Sequence, residues 1–119
     1  MSEARVVSAA LGRCGVGDTS SSVALGLELA RGTGPELIKT SPIDGQELAR
    51  FRSTSAADAQ RVFEGASRAF ASWRNVPGPE RGRVVRRFGE VLRERKEDLA
   101  TLVSWEAGKI ASEAGGEVQ

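Results

Sequence analysis

Cys14 is the one side chain in this sequence that could serve as a soft nucleophile. A free thiol, with a pKa near ~8.5, is mostly protonated at neutral pH and needs an adjacent base or a strong positive field to react. Arg13 adjoins it, but the 119 residues contain no His and no Tyr. A Ser-His-Asp or Cys-His arrangement therefore cannot be assembled from this chain. One thiolate cannot complete a tetrahedral zinc shell, nor form a disulfide within the chain. Cys14 reads as an incidental thiol.

Two glycine-bearing segments suggest phosphate chemistry at first sight. Gly15-Val16-Gly17 followed by Asp18-Thr19-Ser20 has part of a dinucleotide loop, but the fingerprint needs a hydrophobic strand before it and a third glycine opening a helix. Neither is present, so the segment reads as a plain loop. Gly108-Lys109 resembles the end of a P-loop, which requires a glycine five residues earlier and a hydroxyl residue after the lysine. Val103 and Ile110 occupy those positions. Gly108 reads instead as a helix stop, with Lys109 beside the negative end of the helix dipole.

Arg81, Arg83, Arg86, Arg87, Arg93, Arg95 and Lys96 make one stretch basic, as a phosphate-binding helix would be. Glu80, Glu90, Glu94 and Glu97 are interleaved, several at the spacing of four that supports exposed helices, so a solvated face with ion pairs is expected. Phe70, Trp73 and Trp105 could form an aromatic ligand patch; packing in a core is the more frequent use, and they are assigned to it.

The elements that would position these residues are legible from periodicity. Val6, Val7, Ala10 and Leu11 predict a short amphipathic helix over Ser2 to Leu11, stopped by Gly12 and Gly15. From Cys14 to Gly34 the chain is rich in Gly and Ser, with Ser20-Ser21-Ser22 as its most flexible part, and reads as irregular with one short strand at Val23 to Leu27. Residues 1–35 are thus expected to be an irregular lead with a short helix. A hairpin follows over 36–53, with strands at Glu36 to Thr40 and Gln46 to Arg52. The turn Ser41-Pro42-Ile43-Asp44-Gly45 supplies a fixed φ at proline and a tolerated positive φ at Asp-Gly. Ser55-Ala56-Ala57-Asp58 has the form of a capping box. Beyond it, Ala59, Val62, Phe63, Ala66, Ala69, Phe70 and Trp73 make one apolar stripe on a helix of about 56–74. Pro79 opens a second helix, 79–94, presenting Val84, Val85, Phe88, Val91 and Leu92 to a core. The stripe loses register near Arg95, which predicts a break at Glu94 to Glu97 and a third helix, 96–107, with Ala111 to Gln119 as a weaker continuation.

Seventeen basic and sixteen acidic residues leave a formal charge of +1, which gives no electrostatic reason to expect nucleic acid or an anionic membrane as partner. The chain is 39% hydrophobic and 28% charged, ordinary for a globular domain, with no apolar run near the ~18 residues of a membrane span. The N-terminus lacks the apolar stretch of a secretory signal, so a cytoplasmic location is expected.

From Ser41 to Gln119 the order of features resembles the N-terminal region of the aldehyde dehydrogenase superfamily. The matching elements are Ser41-Pro42-x-x-Gly45, Ala66-x-x-Ala69-Phe70-x-x-Trp73, Arg81 just inside the next helix, and Glu106-Ala107-Gly108-Lys109. Pro77-x-Pro79-x-Arg81-Gly82, Val85-Arg86, Leu92-Arg93, Leu102-Val103-Ser104 and Gly116-Glu117-Val118-Gln119 are similar to its family 7 branch, the antiquitins or α-aminoadipic semialdehyde dehydrogenases. The resemblance implies an α/β fold, here the N-terminal and incomplete part of a doubly wound NAD-binding domain. It implies an oxidation in which a cysteine thiolate attacks an aldehyde, hydride passes to NAD, and water releases the carboxylate with help from a glutamate. It also implies a homo-oligomeric parent acting on a small aldehyde. In that family the cysteine, the glutamate, the oxyanion asparagine and the cofactor loops lie beyond Gln119; a Glu-Leu-Gly-Gly segment carrying the glutamate and then a Gly-Gln-x-Cys segment carrying the cysteine would follow here. Cys14 matches none of them, so the expected catalytic, cofactor-binding and metal residues of this chain are none, and the chain alone is expected to be inactive. A different class of reading is a stand-alone helical interaction module, which would bury Val62, Phe70, Val85 and Phe88 internally.

Overall fold

A computed structural model describes residues 3–16 and 21–119. In chain order the elements are α1 (Glu3–Arg13), β1 (Ser21–Leu25), β2 (Glu28–Arg31), β3 (Glu36–Thr40), β4 (Glu47–Arg52), α2 (Ala56–Trp73), α3 (Gly78–Glu94), α4 (Lys96–Ala107) and α5 (Ala111–Val118). The strands form two separate two-stranded sheets, β1 with β2 and β3 with β4.

The expectation of irregular chain from Cys14 to Gly34 is corrected by the β1–β2 hairpin. The apolar run Val23 to Leu27 is not one strand, because the chain reverses inside it. Leu25 pairs with Glu28 across a two-residue turn, and Val23 pairs with Ala30. Gly26 has φ +63°, which supplies the positive φ that the first position of a type II′ turn demands. Leu27, at the second position, is fully exposed. Ser21 and Ser22, expected to be flexible, lie in β1. Of the Gly15 to Ser20 loop, residues 17–20 lie outside the described residues, as does Ser2 at the expected start of α1.

The described residues form two compact units. The first comprises 3–16, 38–50 and 88–119. In it α1 packs on α4, and α4 on α5. Val7, Ala10, Leu48 and Ala114 are its buried apolar side chains, and on the helices Ala10 and Ala114 are small, as close helix–helix approach requires. Arg13 Nε donates to Asp98 Oδ1 at 2.7 Å, tying the end of α1 to the first turn of α4. The break before α4 falls at Arg95, where ψ rises to 11° and the amide is shared between the carbonyls of Val91 and Leu92. The stretch after Gly108, expected to be a weak continuation, is a regular helix despite Gly115 and Gly116. Packing outweighs propensity there, since Ala114 is wholly buried.

The second unit comprises 21–37 and 51–87. β1 packs on α2, where a Cβ on Gly65 would come within 2.3 Å of Leu25 Cδ1. Residues 33–35 run beside 53–55: the Gly34 amide donates to the Ser53 carbonyl, and the Ser53 amide to that of Pro35, both at 2.8 Å. The capping box is present in full, Ser55 Oγ accepting from the Asp58 amide and the Asp58 carboxylate accepting from the Ser55 amide.

The assignment of the aromatic stripe to a core does not hold within this chain. Phe63, Phe70 and Trp73 on α2 are 69%, 58% and 40% exposed. On α3, Val84, Val85 and Phe88 are at least half exposed, and no residue of that helix is buried. The helices have the amphipathic pattern that the sequence predicts, but among the described residues no layer covers those faces. Of Phe70, Trp73 and Trp105, Trp105 on α4 is the one that is partly covered.

Candidate functional site

Cys14 follows directly on α1, half-buried, with its amide donating to the Ala10 carbonyl at 3.0 Å. Its neighbour Arg13 is committed to Asp98, so the guanidinium serves a helix–helix contact. Among the described residues no three His, Cys, Asp or Glu side chains gather into a group that could hold a metal. On α3, Arg83 pairs with Glu80 one turn away, as a solvated helix face would have it.

Gly108 terminates α4 in the left-handed conformation, φ +71°, its amide donating to the Ser104 carbonyl. Any other residue would meet the Cβ strain of that region. Space is restricted as well, because a Cβ here would lie 3.1 Å from Pro42 Cγ. The hairpin turn of β3–β4 thus rests on the corner between α4 and α5. That turn is built from its own residues: the Ser41 amide donates to the Gln46 carbonyl, Ser41 Oγ accepts from the Ile43 amide, and Asp44 Oδ1 accepts from the Gln46 amide. Ser41 is buried and Gly45 has φ +76°. Beside the contact, Lys39 Nζ and Glu106 Oε1 form a 2.7 Å ion pair. Beyond it, Lys109 pairs with Glu117, and this partner raises the lysine's pKa above its ordinary value. Two stretches more than sixty residues apart, Ser41 to Gly45 and Glu106 to Lys109, therefore form one structural corner.

The other concentrated polar group is a clasp around Asp58, a buried carboxylate held by the neutral donors of Thr33 and Ser55. One oxygen, Oδ2, accepts from the Thr33 amide (2.8 Å), the Thr33 hydroxyl (2.7 Å), the Ser55 amide (3.0 Å) and the Ser55 hydroxyl (2.9 Å). These donors, the Thr33 amide foremost, hold its pKa far below the usual carboxylate range. Neither Thr33 nor Lys39 stands out in the sequence, because each is matched to a partner distant along the chain and no local pattern marks it.

An open concavity of about 750 Å³ lies in the first unit, lined by Val6, Ile43, Ala100, Trp105 and the stems of Lys96 and Lys109 among others.

Residues 30–119 match the aldehyde dehydrogenase family. The chain belongs to that family. It is 43% identical over 88 residues to the α-aminoadipic semialdehyde dehydrogenase of Bos taurus, a match covering 74% of this chain and 16% of that one. It is 37% identical over 89 residues to aldehyde dehydrogenase family 7 member A1 of Malus domestica, covering 75% of this chain and 18% of that one. The crystal structure of an NAD-dependent benzaldehyde dehydrogenase from Corynebacterium glutamicum superposes with a TM-score of 0.79 at 26% identity, over 85% of this chain and 22% of that one. The chain therefore spans about a fifth of the length of these relatives. The resemblance to family 7 agrees with these matches, and the mixed α/β architecture is that of part of an aldehyde dehydrogenase. Within this aldehyde dehydrogenase segment, Ser41-Pro42-x-x-Gly45 and Glu106-Ala107-Gly108-Lys109 have an architectural use: each holds the other in place.

Proposed function

We propose that this chain forms part of an NAD-dependent aldehyde dehydrogenase that oxidises an aldehyde to a carboxylate, with residues 36–119 belonging to its doubly wound NAD-binding domain. The observation that carries the proposal is the pair of apolar faces on α2 and α3, left open in a segment that matches the aldehyde dehydrogenase family over 30–119. Helices with a one-sided apolar stripe need a partner layer, and two small hairpins are too little to supply it. The remainder of the dehydrogenase fold is the partner of that chemistry. The stand-alone interaction module is disfavoured by the same side chains, since Phe70, Val85 and Phe88 are exposed rather than buried together. α-Aminoadipic semialdehyde is the proposed substrate, by likeness to the Bos taurus relative.

The residues described do not fit a dinucleotide cradle. A pyrophosphate is held by free backbone N–H groups at a glycine-rich helix start. Here the amides of Gly15, Gly34 and Gly108 donate to the carbonyls of Gly12, Ser53 and Ser104. Lys109 is engaged by Glu117. We propose that this chain carries no catalytic, cofactor or metal residue and that the nucleophile and the NAD contacts belong to the rest of the enzyme. No helix among the described residues is long and apolar enough to cross a membrane. A cytoplasmic, homo-oligomeric parent with no nucleic-acid or membrane partner completes the proposal.

A chimera tests it. Residues 30–119 replacing the matching segment of the Bos taurus enzyme should give a soluble protein that reduces NAD with α-aminoadipic semialdehyde. A chimera that fails to assemble, together with a compact and cooperatively melting 119-residue monomer, would overturn it.

A further inference from the structure

We draw no further inference here: the strongest candidate, the open concavity between α1, the Ser41 to Gly45 turn, α4 and α5 beside Trp105, has its two lysines already engaged by Gln119 and Glu117, and nothing in the structure shows what covers it.

Discussion

Thr33 donates both its amide and its hydroxyl to one carboxylate oxygen of Asp58, 25 residues further along the chain. The link joins the β2–β3 connection to the first turn of α2, so a helix cap also anchors a loop. An ordinary capping box would satisfy only its own helix.

The clasp has a pH signature. Asp58 has a folded-state pKa below the unfolded value of ~3.9, so its stabilisation is complete above ~3.9 and is lost as pH falls through the folded value. The Thr33 amide resonance should stay fixed through the pH range where exposed carboxylates titrate, and move only in stronger acid. Movement with an ordinary carboxylate midpoint would contradict the clasp. Ser55→Ala, which removes one cap partner, should cost about 1 kcal/mol.

Gly32 sits where a Cβ would meet the Ser53 carbonyl oxygen and Ser22 Oγ at 2.3 Å, and the Arg52 carbonyl oxygen at 2.8 Å. Backbone cannot step aside as a flexible side chain can, so Gly32→Ala should destabilise the second unit by about 1–3 kcal/mol. Hydrogen exchange at the Gly34 and Ser53 amides would register it. Gly12→Ala is the control: it lies in α1 with open space around it, and should gain up to about 1 kcal/mol of helix propensity. Equal protection in both variants would refute the close approach.

At the α4–α5 corner, Gly108→Ala combines left-handed strain, about 1–2 kcal/mol, with a Cβ pressed onto Pro42. Gly82→Ala, in open space, should not destabilise. Comparing the two by urea denaturation in the chimera tests whether the corner matters to the assembled fold.

The isolated chain should be helical by far-UV circular dichroism yet bind ANS and melt broadly, because Phe63, Phe70, Val84, Val85 and Phe88 lie on uncovered faces. Replacing Phe70 and Val85 with serine should reduce ANS fluorescence with little change in helicity. A sharp melt without ANS binding would argue for the self-contained module.

Purified on its own, the chain should produce no NADH from NAD and any aldehyde. Steady turnover abolished by Cys14→Ser would assign the half-buried thiol a role that neither its position nor its surroundings suggest.

The features legible in the sequence are the ones with local causes. The Asp44-Gly45 turn, the Ser55–Asp58 box and the loss of register at Arg95 each announce themselves within a few residues, and the structure has them there. The β1–β2 hairpin was obscured because Gly26-Leu27 puts an exposed leucine at a turn, inside what looks like one apolar run. Thr33 and Lys39 owe their importance to partners brought in by the fold, which periodicity cannot reveal. The aromatic stripe of α2 reads as core from its spacing and is exposed in the structure, because a stripe does not tell whether its partner layer lies among the same residues. The candidate chemistry was legible mainly as an absence of His and Tyr.

The meeting of Pro42 with Gly108 also bears on the order in which the chain can fold. Closing a loop of more than sixty residues carries an entropy cost that must be met before the contact gives any return. The first unit draws on three separated stretches, the last of them running to the C-terminal helix, whereas the second uses nothing beyond Arg87. During synthesis, then, the Asp58 clasp and the β1–α2 contact can form while the α4–α5 corner is still being made. The Ser41 to Gly45 turn must wait, its own hydrogen bonds in place, for the glycine on which it comes to rest.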